Sequence, residues 1–261
     1  MSIVVSNKQK IHYELAGDKG PWMLLHAPHL IPMSAWKEGG YVKQLEQDFR
    51  LVIIEPLGQG LSDAPEDASH YTIKSRIRHI LDILREVQAD YTFFLGVGLG
   101  AQVGFQMSKE FPRRIRSLIS VGAQPYQELE EAKYMKEKQE QLRSGNLTAY
   151  LQQWHSLDHL SADQEKLILQ GNPEAYALGL EESLNWEGLG DDLKSLGTAT
   201  LLFTSKAEPR FLSVRDAGKR LRNGRYIILP TILQNYGLWS SELIMKPLLE
   251  FTRRTVNTEV P

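Results

Sequence analysis

Cysteine is absent from this chain of 261 residues. Its absence excludes disulfide bonds, thiolate nucleophiles and metal sites with cysteine ligands. An excess of basic charge is also missing, because 30 Lys and Arg residues face 32 Asp and Glu residues and the net charge is -2. A surface without a basic field has little to hold a polyanion, so we expect no nucleic-acid partner.

Long apolar runs are missing as well. Residues 1–8 lack the apolar stretch of a signal peptide, and no run approaches the roughly 18–20 residues that span a bilayer. We therefore expect a soluble, cytoplasmic protein without a membrane partner. The composition, 42% hydrophobic and 24% charged, is that of a globular protein, and the length suffices for one α/β domain with an inserted subdomain.

Short apolar runs alternate with segments of helical spacing along most of the chain. Residues 72–88 carry apolar side chains at Ile73, Ile77, Ile80 and Leu84, which is the spacing of one helix face. This alternation predicts an α/β fold, with a mostly parallel sheet covered by helices on both faces. The predicted strands are Ile3–Ser6, Ile11–Leu15, Trp22–His26, Leu51–Glu55, Tyr91–Gly96, Ile115–Val121, Thr200–Ser205 and Tyr226–Leu229.

The pattern changes from about Gln124 to Ser195, where strand-like runs disappear and Glu, Lys, Gln and Leu become frequent. We expect residues 1–123 and 199–261 to form one α/β core and residues 124–198 to form a helical lid. Such an insertion would lie over the carboxyl edge of the sheet, where open α/β folds bind their ligands.

A glycine-rich turn follows the fifth predicted strand. Gly96, Gly98 and Ala101 satisfy the G-x-G-x-x-G/A pattern of dinucleotide-binding proteins. However, no acidic residue ends the next strand, Ser117–Val121, to bind a ribose hydroxyl, and the turn does not belong to an opening βαβ unit. We therefore expect no dinucleotide and no other cofactor.

The same turn, Gly96–Gly100, resembles the G-x-S-x-G nucleophile elbow of the α/β-hydrolases, with Gly98 at the serine position. Three further segments match this family in order and spacing, and the resemblance covers nearly the whole chain apart from the predicted lid. It implies the α/β-hydrolase fold of esterases, lactonases and C–C hydrolases, with an eight-stranded sheet. The segments resemble the oxyanion loop (Leu24–Pro28, followed by Trp36), the D-x-x-G-x-G-x-S segment (Glu55–Asp63) and the strand and turn that carry the acid (Leu201–Pro209).

The resemblance implies a catalytic triad that this sequence does not supply. Gly98 has no side chain to act as nucleophile, and Leu238 follows Gly237 where the family places its histidine base. A shifted alignment does not restore the base, because no histidine follows His159. Loss of triad members costs a working enzyme on the order of 10⁴–10⁶ in rate.

The oxyanion loop is altered too. Pro28, at the position whose backbone N–H stabilises the oxyanion in the family, has no N–H to donate. Leu99 retains the second donor, and Glu208 retains the residue type of the acid. The resemblance therefore implies a degenerate catalytic triad, and we expect no hydrolysis by the usual serine route.

A second motif suggests a metal at first reading. His155, Asp158 and His159 resemble an H-x-x-E-H zinc motif, with two histidines one helical turn apart. A zinc site needs a third ligand and supporting hydrogen bonds, which the sequence does not supply. A polar helix surface explains the pair more simply, and we expect no metal.

Two functions remain open. The first is a pseudoenzyme that binds a small apolar molecule, or a protein partner, near Ala27, Pro28 and Leu99. Members of the family that serve as plant hormone receptors without the catalytic histidine imply such a role. A homodimer formed through the lid is left open.

The second function is a repurposed enzyme: a lyase, an isomerase, a cofactor-free oxygenase or an atypical hydrolase. Such reactions need one positioned base. His29, just past Pro28, and Glu208 are the candidate acid–base groups, and Asn235 and Tyr236, beside Leu238, are candidates to hydrogen-bond a ligand.

Overall fold

A computed structural model describes residues 2–127, 132–154, 160–230, 238 and 241–256. Its single sheet contains eight strands, each within two residues of the bounds predicted from the sequence. The strands are β1 (Ser2–Ser6), β2 (Gln9–Ala16), β3 (Trp22–His26), β4 (Arg50–Ile54), β5 (Thr92–Val97), β6 (Ile115–Val121), β7 (Ala199–Ser205) and β8 (Gly224–Leu229).

The strand order across the sheet is β1-β2-β4-β3-β5-β6-β7-β8. The first two pairs, β1 with β2 and β2 with β4, are antiparallel, and every later pair is parallel. All six residues of β5 are buried, as expected for a central parallel strand that is covered on both faces. The carboxyl ends of β3, β5, β6 and β7 meet at one edge, where the glycine-rich turn follows β5.

Helices cover both faces of this sheet. On one face α3 (Ile73–Glu86), α4 (Leu99–Glu110) and α9 (Phe211–Arg220) share an apolar cluster. On the other face α1 (Ser34–Glu38), α2 (Tyr41–Leu45) and α10 (Ser241–Val256) share a second one. The fold class predicted from the sequence is confirmed. The chain also forms α5 (Ala132–Arg143), α6 (Leu147–Trp154), α7 (Ala162–Leu169) and α8 (Pro173–Leu184).

Local signals in the sequence fix where the helices begin. The Thr72 hydroxyl caps α3 by accepting the N–H of Ser75 at 3.1 Å. The side chain of Asn172 caps α8, and Pro173 is its first helical residue, where a missing N–H costs nothing. Helix α10 continues through Pro247. Within the described ranges, no helix combines the length and apolarity needed to cross a bilayer.

Helices α5 to α8, followed by a short 3-10 helix, connect β6 to β7; we call them the helical insertion. The insertion has its own apolar cluster, to which the loop after β3 contributes one side chain, that of Leu30. Leu30 is 2% exposed and has a left-handed backbone, with φ of 67°. The other buried members of the cluster are Leu142, Leu147, Tyr150, Leu151, Ile168, Tyr176, Ala177 and Leu180.

The contact through Leu30 ties the helical insertion to the edge of the sheet that carries the glycine-rich turn. Chain boundaries of a lid at residues 124 and 198 stay a prediction, as does any opening of the insertion.

Leu30→Ala should lower the free energy of unfolding by about 2–5 kcal/mol, because it leaves a cavity in the cluster of the insertion. Denaturant unfolding measures this loss, and hydrogen exchange should rise in α6 and α8 before it rises in α10. Leu243→Ala, at a side chain that is 40% exposed, is the control and should cost far less. An equal loss of unfolding free energy in the two variants would contradict the packing of Leu30 in the cluster of the insertion.

Candidate active site

The turn between β5 and α4 has the geometry of a nucleophile elbow. Gly98 lies between them with φ of 53° and ψ of -122°, which is outside the regions that L-residues adopt without strain. Its N–H donates to the carbonyl of Val121 at 3.2 Å, and its carbonyl accepts the N–H groups of Ala101 and Gln102. The backbone therefore has the geometry of the elbow, although Gly98 has no side chain.

The first turn of α4 lies directly against the end of β3. A Cβ on Gly100 would come within 2.3 Å of the carbonyl oxygen of His26, so only glycine permits this approach. The ring of His26 is buried, and its Nδ1 donates to the carbonyl of Ala27 at 2.9 Å. Burial lowers the pKa of His26 to about 4, against the opposing effect of that hydrogen bond. His26 is therefore neutral at pH 7, which fits a structural group rather than a proton carrier.

Leu238, at the predicted position of the histidine base, is a core residue. Its exposed fraction is 0%, and it belongs to the apolar cluster that also contains Val97, Val121 and Phe203. Its backbone is packed as closely as its side chain, since a Cβ on Gly39 would lie 2.2 Å from the Leu238 carbonyl oxygen. The position is thus filled by apolar packing. Asn235 and Tyr236, predicted to flank it, lie outside the described residues, as do His155 and His159.

Of the two positions predicted to supply oxyanion donors, one keeps its backbone N–H. Leu99 is the first residue of α4, so its N–H has no acceptor within the helix. Pro28 has no N–H, and its carbonyl accepts the N–H of Ile31 at 3.4 Å. Ala27 and Leu99 are both buried. One donor among apolar neighbours gives weak stabilisation of an oxyanion compared with the usual pair.

Glu208, at the position of the acid, lies in the turn between β7 and α9. Its N–H donates to the carbonyl of Ser205 at 3.0 Å, and its carbonyl accepts the N–H of Phe211 at 3.1 Å. The residue is half-buried. Strands β5 and β7 are separated by β6, which places this turn about 10 Å from the elbow along the sheet edge.

His29 is half-buried and faces the helical insertion. Its ring meets Tyr176 of α8 edge-on, with 6.4 Å between the ring centroids. Two strands separate β3 from β7 in the sheet, so the ends of the strands that precede His29 and Glu208 are about 14 Å apart. This order favours two separate positions over one acid–base pair.

Comparison with known proteins agrees with the geometry. A family model described as the alpha/beta hydrolase fold matches residues 28–174. The chain belongs to the α/β-hydrolase fold family. A Bacillus subtilis member, provisionally named 2-succinyl-6-hydroxy-2,4-cyclohexadiene-1-carboxylate synthase, is 21% identical over 235 residues, which cover 81% of this chain and 84% of that protein.

Solved structures of α/β-hydrolases share the fold at low identity. An enol-lactonase from Burkholderia xenovorans superposes with a TM-score of 0.81 at 16% identity, over 97% of this chain and 100% of that one. A thermophilic esterase from Thermogutta terrifontis gives a TM-score of 0.82 at 15% identity, over 97% and 98% of the two chains. The proteins similar to this α/β-hydrolase chain thus include a lactonase, an esterase and a provisionally named synthase.

Sequence reasoning missed two groups beside His29, namely Arg76 of α3 and Gly179 of α8. A signal for Arg76 was available. It occupies the buried stripe of α3 that also contains Ile73, Ile77 and Ile80, where this α/β-hydrolase chain places a charge among apolar side chains. Gly179 carried no such signal, because its contact with His29 joins residues far apart in the chain.

Leu238→His should lower the free energy of unfolding by about 1–3 kcal/mol, because it buries an imidazole in an apolar cluster. Leu238→Met is the matched control, and it should change that free energy by less than about 1.5 kcal/mol. Urea unfolding at pH 7 measures both variants. A Leu238→His variant as stable as the wild type would contradict the packing described for this position.

Proposed function

We propose that this chain is a non-hydrolytic member of the α/β-hydrolase family that binds a small apolar molecule between the core and the helical insertion. The observation that carries the proposal is the combination of Gly98 at the elbow with Leu238 in the core. The first removes the nucleophile and the second removes the base, while the backbone that positioned them is kept.

The loss of hydrolysis follows from what serine chemistry requires. A nucleophile needs a base to take its proton, and the tetrahedral intermediate needs two donors for its oxyanion. Removal of triad members leaves only the small rate enhancement supplied by binding and the oxyanion donors. Here Pro28 removes one of those donors as well, so we expect little of that small rate enhancement.

The location of the binding site follows from the fold. Open α/β sheets bind ligands at the carboxyl ends of their strands, and the helical insertion lies beside that edge through Leu30 and the contact of His29 with Tyr176. Ala27, directly after β3, and Leu99, the first residue of α4, are apolar. An apolar small molecule suits this lining, with few polar groups to fix its orientation.

An acid–base enzyme is the second candidate, and the position of His29 favours it. The imidazole is half-buried on the loop after β3, beside the insertion, where a ligand would be shielded from water. The Bacillus subtilis relative is named as a synthase rather than a hydrolase, so a non-hydrolytic reaction on this scaffold has a parallel.

Turnover of p-nitrophenyl esters, lactones and epoxides separates these functions from hydrolysis. We expect the wild type and Gly98→Ser to stay at the protein-free rate, because the serine variant still lacks a base. A family esterase with an intact triad, at the same protein concentration, is the positive control. Enzymatic turnover by the wild type would contradict the proposal. If His29→Ala then abolished that turnover, an acid–base enzyme would replace the non-hydrolytic binding protein as the proposed function.

A further inference from the structure

Arg76 is a buried charge in the apolar stripe of α3. It is 2% exposed, and it belongs to the helix face that carries Ile73, Ile77 and Ile80. Burial lowers the pKa of its guanidinium only to about 10, so the group is protonated at neutral pH. A buried guanidinium is costly unless hydrogen bonds or an opposite charge compensate it.

The hydrogen bonds of Arg76 leave part of the guanidinium unused. Its Nε donates to the carbonyl of Tyr71 at 3.1 Å, and its Nη2 donates to the carbonyl of Gly179 at 3.5 Å. Its Nη1 is buried and has no hydrogen-bond partner among the residues that the structure describes. Within those residues the guanidinium also forms no ion pair, and Glu182 influences it only from a longer distance.

The charge of Arg76 acts on two buried imidazoles. His79, one turn further along α3, is 1% exposed, and its Nε2 has no partner in the described part of the chain. Burial and the charge of Arg76 lower the pKa of His79 to about 4, and the same charge contributes to the low pKa of His26. The positive field of Arg76 therefore acts on its neighbours without a counterion in contact.

Gly179 connects Arg76 to the candidate site. A Cβ at Gly179 would lie 3.0 Å from Cε1 of His29 and 3.1 Å from Nη2 of Arg76. The two side chains thus meet the same face of α8, which also presents Tyr176 to His29. The guanidinium of Arg76 therefore lies where the core, the insertion and the loop after β3 meet, and its buried Nη1 has no hydrogen-bond partner among the described residues.

We propose that Arg76 recognises a carboxylate on the bound molecule, so that the ligand of this chain is a small apolar acid. The inference rests on the proposed binding function and names its ligand class. A carboxylate would accept the N–H groups of Nη1 in a charge-assisted hydrogen bond and would supply the missing counterion. A purely structural clamp between α3 and α8 would use Nε and Nη2, but it gives no role to Nη1.

Calorimetric titration with matched acids and amides tests this proposal. The probes are octanoate and phenylacetate, each with its primary amide, which keeps the apolar part and removes the charge. We expect the wild type to bind the acids about 10- to 100-fold more tightly than the amides. Arg76→Gln should abolish this preference by weakening the acids alone. Arg78→Gln, at an exposed arginine of the same helix, is the matched control and should change neither affinity.

The preference for acid over amide is measured on the wild type alone. It therefore tests the proposal even if Arg76→Gln does not fold. Equal affinities for acids and amides would overturn carboxylate recognition while leaving the proposed binding function in place. A folded Arg76→Gln variant that keeps the preference would likewise overturn the role of Arg76 alone. No binding of either class at millimolar concentration would overturn both proposals together.

Discussion

The turn at Gly98 joins the central strand β5 to helix α4, and the arrangement of the whole carboxyl edge depends on it. Its backbone, with φ of 53° and ψ of -122°, reverses the chain in one residue and is held by the carbonyl of Val121 at the end of β6. The tight approach of Gly100 to His26 then locks α4 against β3. The loop after β3, which carries Pro28 and His29, is placed by the same contact. The strained backbone of this turn is thus present at a residue that carries no side chain.

The two faces of the sheet differ in what they bury near this edge. On the face of α10, Leu238 fills the position of the base within an apolar cluster. On the face of α3, by contrast, a guanidinium and two imidazoles are buried, those of Arg76, His79 and His26. Near this edge the described residues therefore bury an apolar side chain on one face of the sheet and ionisable side chains on the other.

The sheet was predictable from sequence because its central strands are continuous apolar runs between turn residues. β3 and β6 lie at the predicted bounds, Trp22–His26 and Ile115–Val121. The family resemblance also located the elbow, since glycines at fixed spacing leave few alternatives. The contacts of the site were harder to predict. Leu30 adopts a left-handed backbone and packs in the cluster of the insertion. No local sequence pattern predicts this conformation or this contact. Arg76 meets Gly179 across 103 positions of sequence, a pairing that only the folded chain defines.

Intact-protein mass spectrometry after treatment with a fluorophosphonate tests most directly whether the elbow retains a working nucleophile. Such reagents react with serine hydrolases at the activated nucleophile and remain covalently attached, so the mass of the whole chain reports on the site whatever the natural ligand is. A family esterase with an intact triad shows that the reagent is active. We expect no mass increase for this chain under conditions that label the esterase completely. A stoichiometric adduct that maps to the carboxyl edge of the sheet would contradict it.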